Sequence, residues 1–152
     1  MSTWVLILLP PVLALIFWYY RLYRLQSIQT SIHSLKWNDV TIAQKKQQAQ
    51  DQLFVFLALA EKHGYNQDRC QFFIKAVMEE NNHREHLWVQ VTSFNGTVFR
   101  GTLANDPSTL QHVKFGDSLM ITKDEVEDWQ VLDFLTGKRH GGFSRKYVRS
   151  NK

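Results

Sequence analysis

The 152-residue sequence contains one cysteine, three prolines and seven glycines. A lone cysteine, Cys70, cannot form an intramolecular disulfide or supply a cysteine-rich zinc site, so a disulfide scaffold is excluded. A domain takes about 100 to 200 residues, so the length suits one domain and excludes a large multi-domain enzyme. Hydrophobic residues make up 44% of the chain and aromatic residues 13%, which is too rich for a disordered chain. Most of the sequence is therefore expected to fold.

Charged side chains are missing from the first twenty residues, Met1 to Tyr20. Twenty helical residues extend about 30 Å, which is the thickness of a bilayer core, so residues 1–20 are predicted to be a transmembrane anchor. Trp4 near one end and the aromatic residues 18–20 at the other are placed as membrane-interface side chains. Pro10 and Pro11 remove two backbone donors and predict a kink in this helix.

The basic residues that flank the anchor predict its orientation. Neither a Lys nor an Arg precedes the apolar run and no Ala-x-Ala site follows it, which argues against a cleaved signal peptide. Arg21, Arg24 and Lys36 all follow the run, so the positive-inside rule predicts a single-pass inner-membrane protein whose domain faces the cytoplasm. A domain that faces the periplasm is the alternative.

The rest of the chain divides by hydrophobic periodicity. Residues 21–39 carry apolar residues at helical spacing and are predicted to form an amphipathic neck. Residues 40–148 are predicted to form an α+β domain, and 149–152 a basic tail. One helix is expected from about Val40 to Lys62, ending at Gly64 and packing on a sheet. Its apolar stripe consists of Ala49, Leu53, Phe56, Leu57 and Ala60.

Alternating and turn-bounded segments predict an antiparallel sheet of four or five strands. The expected strands are 71–80, 87–94, 97–103 and 118–122. Asn95 and Gly96 are the pair that type I′ hairpin turns favour, so a hairpin with that turn is predicted there. A helix followed by an antiparallel meander is an α+β pattern. No glycine-rich dinucleotide fingerprint is present, which argues against a Rossmann enzyme.

Charge is distributed unevenly along the chain. Residues 63–137 hold six basic and eleven acidic side chains, whereas residues 138–152 hold six basic and none acidic. Basic residues next to the anchor and in the tail suit anionic lipid headgroups. A nucleic-acid module would carry its basic residues on the sheet or a recognition helix, so no nucleic-acid partner is expected.

Four features carry possible chemistry, and each has a structural alternative. His83 and His86 have a spacing seen in metal sites, but no third ligand stands near them in sequence, so no metal is expected. Nothing near Cys70 is expected to lower its pKa enough for a thiolate nucleophile. The glycine-flanked segment 137–142 can cradle an anion, or form a basic loop before a last strand. Carboxylates on a small acidic domain are more often a solvated face than a catalytic set.

Five sequence blocks occur in an order that resembles a known bacterial family. They are Glu85-His86-Leu87-Trp88, the segment 101–107, Gly116-Asp117, Val126-Glu127-Asp128-Trp129 and the segment 141–145. Together they resemble the YegJ-like proteins, a domain of unknown function numbered 2314. The resemblance is densest from Glu85 to Arg145 and extends back to about Ile42. Gln130 and the basic residues 138–140 depart from the family pattern.

The resemblance implies a small α+β domain with no established catalytic activity. Small bacterial domains with a Gly-Asp turn and an Asp-Trp pair include immunity proteins, which bind and block a toxin made by competing bacteria. An acidic domain is steered electrostatically onto a basic toxin surface, with aromatic side chains as anchors. We therefore expect a membrane-anchored, non-enzymatic immunity protein that occludes a basic toxin and needs no cofactor and no small-molecule substrate.

The candidate partner-binding residues are carboxylates, one histidine and two tryptophans: Glu85, His86, Trp88, Asp106, Asp124, Glu125, Glu127, Asp128 and Trp129. Trp88 and Trp129 can equally belong to the core. Two alternatives stay open at this point. One is a structural or accessory cell-envelope protein, and the other is a small hydrolase with Glu85 as acid, His86 as base and Asp128 as orienter.

Overall fold

The computed structural model describes residues 39–65 and 67–144, with side chains from residue 41 onward. The predicted anchor (1–20), the basic tail (149–152) and all but the last residue of the predicted neck (21–39) lie outside the described residues. Within the described ranges no helix has the length and apolar character needed to cross a membrane.

Two helices occupy the place of the single predicted helix. α1 runs over Asp39–Asp51 and α2 over Leu53–His63, and Gln52 separates them with φ −104° and ψ 8°. The prediction of one helix was wrong at this residue. The apolar stripe is confirmed, because Ala49, Leu53, Phe56 and Ala60 are all buried. Gly64 ends α2 with a positive φ of 64°, a conformation that glycine adopts without steric cost.

In residues 39–65 and 67–144, six antiparallel strands form one sheet. They are β1 (Cys70–Glu80), β2 (His83–Phe94), β3 (Val98–Leu103), β4 (Ser118–Thr122), β5 (Asp128–Asp133) and β6 (Arg139–Gly141). Their spatial order is β4-β3-β2-β1-β5-β6, and a 3₁₀ turn over Lys123–Glu125 follows β4. The α+β class and the antiparallel sheet are confirmed, whereas the expected number of strands was too low. The difference is β5, which starts at Asp128, and the three-residue β6.

The left-handed turn lies at a different hairpin from the predicted one. Asn81 and Asn82 have φ values of 49° and 67°, and the strand residues on either side of them pair directly. Two positive φ angles in a two-residue loop are the type I′ geometry. The hairpin at Asn95-Gly96 exists, but Asn95 has no positive φ. The Asn95 side chain instead accepts hydrogen bonds from the backbone N–H of Thr97 (3.0 Å) and Val98 (2.8 Å).

The main core lies between the helices and one face of the sheet, called here the helical face. Phe56 of α2 sits at its centre, with its ring 5.4 Å from that of Phe72, 5.7 Å from Phe99 and 5.8 Å from Trp129. All three contacts are edge-to-face, which adds about 0.5–1.5 kcal/mol per pair to the burial itself. Trp129 Nε1 donates to the backbone oxygen of Ala49 at 2.9 Å, and this bond fixes α1 to β5.

The connection from β4 to β5 crosses the sheet beside α1, because β3, β2 and β1 lie between those two strands. Gln50 of α1 ties it down by donating from Nε2 to the backbone oxygens of Val126 (2.6 Å) and Lys123 (3.0 Å). Val126 is buried in the core, and the N–H of Glu127 donates to Lys75 O at 2.8 Å. The crossing therefore delivers Glu127 and the start of β5 to the middle of β1.

Candidate functional site

Strand register places three side chains in one row across the sheet. Lys75 of β1 pairs with Trp88 of β2 on one side and with Asp128 of β5 on the other. Paired residues share a face, and the row alternates with the core residues Ile74 and Trp129, so it lies on the face opposite the helical face. Lys75 Nζ is 5.9 Å from the Trp88 ring centroid, which is within cation–π range. Burial lowers the pKa of Lys75, and the carboxylates of Asp128 and Glu127 oppose that shift.

Asp128 is a buried carboxylate, and hydrogen-bond donors of its own chain bind both of its oxygens. It is 1% exposed. Its Oδ1 accepts from the N–H of Trp129 at 2.8 Å and of Phe143 at 3.1 Å. Its Oδ2 accepts from the N–H of Ser144 at 2.9 Å and from Ser144 Oγ at 2.5 Å. Asp128 therefore anchors the segment after β6 to the first residue of β5.

His86 and Glu127 form a partly buried pair beside this row. His86 Nδ1 lies 2.5 Å from Glu127 Oε2, and the two side chains are 36% and 15% exposed. Burial alone would raise the pKa of Glu127. The hydrogen bond and charge of His86, with further help from Lys46 and Lys75, outweigh burial and hold that pKa below its usual value.

A small cleft connects this row with α1. The helix contributes Ile42, Lys45 and Lys46, and the strands contribute Lys75 and His86. Glu127, Asp128 and Ser144 complete the lining. The free volume is about 30 Å³, which is room for about two water molecules or one small ion. This cleft brings the side chains of Lys45, Lys46, Lys75, Glu127 and Asp128 together around open space.

Glu85 does not share this cleft. Neighbouring strand residues point to opposite faces, so Glu85 and His86 diverge. The Glu85 carboxylate accepts hydrogen bonds from the N–H of Ser108, the N–H of Thr109 and Thr109 Oγ1. Burial by itself raises the pKa of Glu85. The hydrogen bonds from Thr109 and Ser108 together lower it by more, so the net shift of the pKa is downward. The geometry therefore separates Glu85 from His86 and Asp128, the other two members of the hydrolase trio.

The other candidate carboxylates lie outside the cleft. Glu125 closes a capping box with Thr122, and the N–H and Oγ1 of Thr122, both 2.7 Å from Oε2, lower the pKa of Glu125. Asp106 and Asp124 are exposed, and their side chains accept no hydrogen bond from the described part of the chain. Glu125 is exposed as well, but Asp106 and Asp124 are the exposed candidate acids that accept no hydrogen bond from the described residues.

Both candidate tryptophans are buried. Trp129 is 1% exposed and belongs to the core, and Trp88 is 6% exposed on the opposite face. Neither ring is presented to solvent, so neither is an exposed anchor. The large exposed hydrophobic side chains are instead Phe54, Phe115, Met120 and Leu135.

Metal and thiol chemistry find no support in the described residues. His83 and His86 stand three apart on β2, so their side chains leave opposite faces and cannot share an ion. Within the described ranges no cluster of three or more His, Cys, Asp or Glu residues is placed to hold a metal. Cys70 is buried, and burial raises its pKa, which disfavours the reactive thiolate. Segment 137–142 forms β6 and the turns around it.

Four polar cleft residues were missed by the sequence analysis: Lys45, Lys46, Lys75 and Ser144. A signal for Lys75 was available, because it sits between Phe73 and Val77 on one side of a strand whose other side is apolar over residues 70–78. A charged residue at such a position is buried beside partners. No comparable signal marks Lys45 and Lys46, which look like ordinary exposed helix residues.

The fold and the site define a small α+β domain in which several carboxylates, among them Glu85 and Asp128, accept hydrogen bonds from its own backbone. The chain belongs to the family described as "Uncharacterized protein conserved in bacteria (DUF2314)", which matches residues 38–151. This finding confirms the family resemblance seen in the sequence.

Two curated proteins are similar to parts of the chain. "Uncharacterized protein YegJ" of Escherichia coli (strain K12) is 28% identical over 77 residues, which cover 51% of this chain and 49% of that protein. "Putative ankyrin repeat protein NMB1133/NMB1171" of Neisseria meningitidis serogroup B (strain ATCC BAA-335 / MC58) is 32% identical over 65 residues, or 43% of this chain and 25% of that protein. The chain thus spans half or less of each relative. No solved structure matches it significantly.

Proposed function

We propose that the protein is a membrane-anchored, non-enzymatic binding protein, and specifically an immunity protein that neutralises a cognate antibacterial toxin by covering its active site. The observation that carries the proposal is the use of the carboxylates. Glu85 and Asp128 each accept several hydrogen bonds from backbone N–H groups of their own chain. A carboxylate held in this way is a structural ligand and is poorly placed to transfer protons to a substrate.

Exposed acidic groups support a basic partner. Asp106 and Asp124 project into solvent with no hydrogen bond from the described residues, and the segment 63–137 carries an excess of acidic side chains. Carboxylates at the rim of an interface speed association with a basic surface more than they hold the complex together. A toxin that acts on an anionic substrate has such a surface around its active site.

One relative's name supports binding rather than catalysis. The matched Neisseria protein is named a putative ankyrin repeat protein, and ankyrin repeats form extended concave binding surfaces. The shared segment in that protein thus accompanies a binding architecture.

Charge reversal at the two exposed acids tests the proposal. The full-length chain is mixed with the purified product of the adjacent toxin gene, and association is followed by stopped flow at several salt concentrations. Asp106→Lys and Asp124→Lys are expected to slow association about tenfold at low salt and less at high salt. Glu61→Lys makes the same charge change at an exposed position of α2 and is the matched control. Absence of any complex contradicts the proposal, as does an equal effect of the control.

We propose further that residues 1–20 anchor the protein in the inner membrane with the domain in the cytoplasm. The uncharged first twenty residues and the basic residues that follow them support this placement. Protease added to spheroplasts is expected to leave the domain intact and to degrade it after lysis. Degradation in intact spheroplasts indicates a periplasmic domain, and recovery in the soluble fraction contradicts the anchor.

A further inference from the structure

β4 is an open edge of the sheet that residues 39–65 and 67–144 form. A sheet edge carries unpaired backbone N–H and C=O groups, and natural proteins usually protect it with charged side chains, proline or a very short strand. The opposite edge has such protection, because β6 is three residues long and contains Arg139. The five residues of β4, Ser118–Thr122, include neither a charged side chain nor a proline. The edge at β4 is therefore able to pair with another strand.

The even-numbered residues of β4 carry the backbone groups of this free edge. On the inner side of β4, the N–H of Lys123 donates to Thr97 O at 2.9 Å. Hydrogen bonding alternates along an antiparallel strand, so odd-numbered residues bond to β3. Ser118, Met120 and Thr122 consequently direct their N–H and C=O groups away from β3.

Met120 combines free backbone groups with an exposed apolar side chain. Its neighbour Thr122 already donates its outward N–H to Glu125 Oε2 at 2.7 Å. The outward groups of Ser118 and Met120 have no hydrogen-bond partner in the part of the chain that the structure describes. The Met120 side chain is 66% exposed. Unpaired backbone groups and an exposed large apolar side chain at one residue both favour a contact with another strand.

We propose that β4 pairs antiparallel with β4 of a second copy of this chain, with the two Met120 residues opposite each other. In this register each Met120 exchanges both backbone hydrogen bonds with its counterpart, and the N–H of Ser118 donates to Thr122 O of the second copy. The N–H of Thr122 keeps its bond to Glu125. The two Met120 side chains share a face and cover each other. Toxin binding is not required for this pairing.

Charges at the two ends of β4 favour a second copy as the partner. Asp117 precedes the strand and Lys123 follows it. In the register centred on Met120, Asp117 of each copy lies opposite Lys123 of the other, which is a stabilising cross-strand pair. Asp117 Oδ2 accepts from the N–H of Lys114 at 3.0 Å, and Oδ1 is left for this contact. An in-register parallel pairing would instead place like charges side by side, so the charges select the antiparallel orientation.

Sedimentation equilibrium of the full-length chain in an uncharged, density-matched detergent tests the pairing. A monomer–dimer equilibrium with a Kd on the order of 10 µM is expected, because a five-residue strand makes a smaller contact than a standard interface. Met120→Lys places two like charges opposite each other and is expected to weaken the dimer about tenfold or more. Leu135→Lys makes the same change at a residue between β5 and β6 that is 75% exposed, and is expected to leave the Kd unchanged.

Disulfide trapping tests the register. Opposed Cα atoms in a hydrogen-bonded antiparallel pair lie about 5.5 Å apart, which a disulfide can bridge. Met120→Cys is therefore expected to cross-link with itself under mild oxidation. Ser118→Cys is not, because the two copies of this residue lie roughly 14 Å apart in this register. A mixture of Ser118→Cys and Thr122→Cys is expected to cross-link. Leu135→Cys measures random collision, and the native Cys70 is buried.

Three results would overturn the pairing. One is a chain that stays monomeric up to about 100 µM, ten times the expected Kd. Another is a dimer that Met120→Lys leaves intact, or that Leu135→Lys weakens equally, because association then lies elsewhere or follows net charge. The third is cross-linking of Ser118→Cys or Leu135→Cys as fast as that of Met120→Cys. Met120 and Leu135 are exposed, and circular dichroism reports whether each variant is folded.

Discussion

His86 Nδ1 lies 2.5 Å from Glu127 Oε2, although 41 residues separate the two in sequence. His86 belongs to β2, whereas Glu127 ends the crossing that precedes β5. The contact bridges over β1, the strand between β2 and β5. It therefore connects the end of the crossing to β2, which lies on the far side of β1.

A double-mutant cycle measures the coupling free energy between His86 and Glu127. His86→Gln and Glu127→Gln each remove the charged hydrogen bond, and a coupling of about 1 kcal/mol is expected for a partly buried pair. Urea unfolding of the wild-type chain, the two single variants and the double variant at neutral pH gives the coupling. Strictly additive effects would show that the short contact contributes nothing to stability.

Replacing Asp128 is expected to be far more damaging. Asp128→Asn keeps the shape but turns an amide N–H₂ toward donors and leaves Lys75 without its buried neighbouring charge. A loss of about 3 kcal/mol in the free energy of unfolding is expected. Asp124→Asn makes the same chemical change at an exposed position and is expected to stay within about 0.5 kcal/mol. Similar losses in both variants would contradict the role assigned to Asp128.

Glu85 is expected to hold the loop after β3 in place through its hydrogen bonds to Ser108 and Thr109. Glu85→Gln weakens the acceptor for the N–H groups of Ser108 and Thr109, with an expected loss of about 1–2 kcal/mol. Hydrogen exchange at these two amides is expected to accelerate more than exchange at core amides such as that of Ile74. Unchanged protection at residues 108 and 109 would mean that other contacts hold the loop, such as Leu110 against Leu87 and Leu103 or the N–H of Gln111 on Glu80.

Acid is expected to destabilise the fold through several carboxylates together. The pKa values of Glu80, Glu85, Glu125, Glu127 and Asp133 all lie below their ordinary values. Their folded-state pKa is depressed, so the stability that they contribute is present above the unfolded pKa of about 4 and is lost as pH falls through the folded values. The urea concentration at the unfolding midpoint, measured from pH 6 to pH 3, is expected to decrease once the pH drops below about 4.5.

A matched variant isolates one contributor to that acid sensitivity. Glu85→Gln is expected to be less stable than the wild type at pH 6 and to show a shallower decline below pH 4.5, because its amide does not titrate. Parallel pH curves for the two proteins would argue against a depressed pKa at Glu85.

Local sequence patterns predicted the elements well where one principle dominates. The apolar stripe of α2 and the glycine that ends it follow from helical periodicity and from the conformational freedom of Gly64. Turn chemistry was less decisive: Asn95-Gly96 is the stronger type I′ pair by composition, yet the left-handed angles occur at Asn81-Asn82. The Asn95 side chain instead accepts hydrogen bonds from two following N–H groups, and this local bonding is favoured over the left-handed turn.

The cleft was not predictable from local patterns, because its residues come from five separate segments. Glu127 lies in the cleft because Gln50 of α1 binds the crossing that precedes β5. Ser144 lies there because its N–H and Oγ donate to Asp128. Sequence blocks drew attention to His86, Glu127 and Asp128, which line the cleft. They also drew attention to Trp129, which serves the core. A short motif marks residues that matter to the fold as readily as residues that contact a partner.

A growth competition tests the central claim most directly. A strain lacking this gene is co-cultured with its wild-type sibling, which still makes the toxin, and is complemented either with the wild-type gene or with Asp106→Lys/Asp124→Lys. The account predicts that the deletion strain is outcompeted, that the wild-type gene restores it and that the double variant restores it incompletely. Equal survival of the deletion strain and its sibling, at toxin levels that kill an unrelated sensitive strain, would contradict the account.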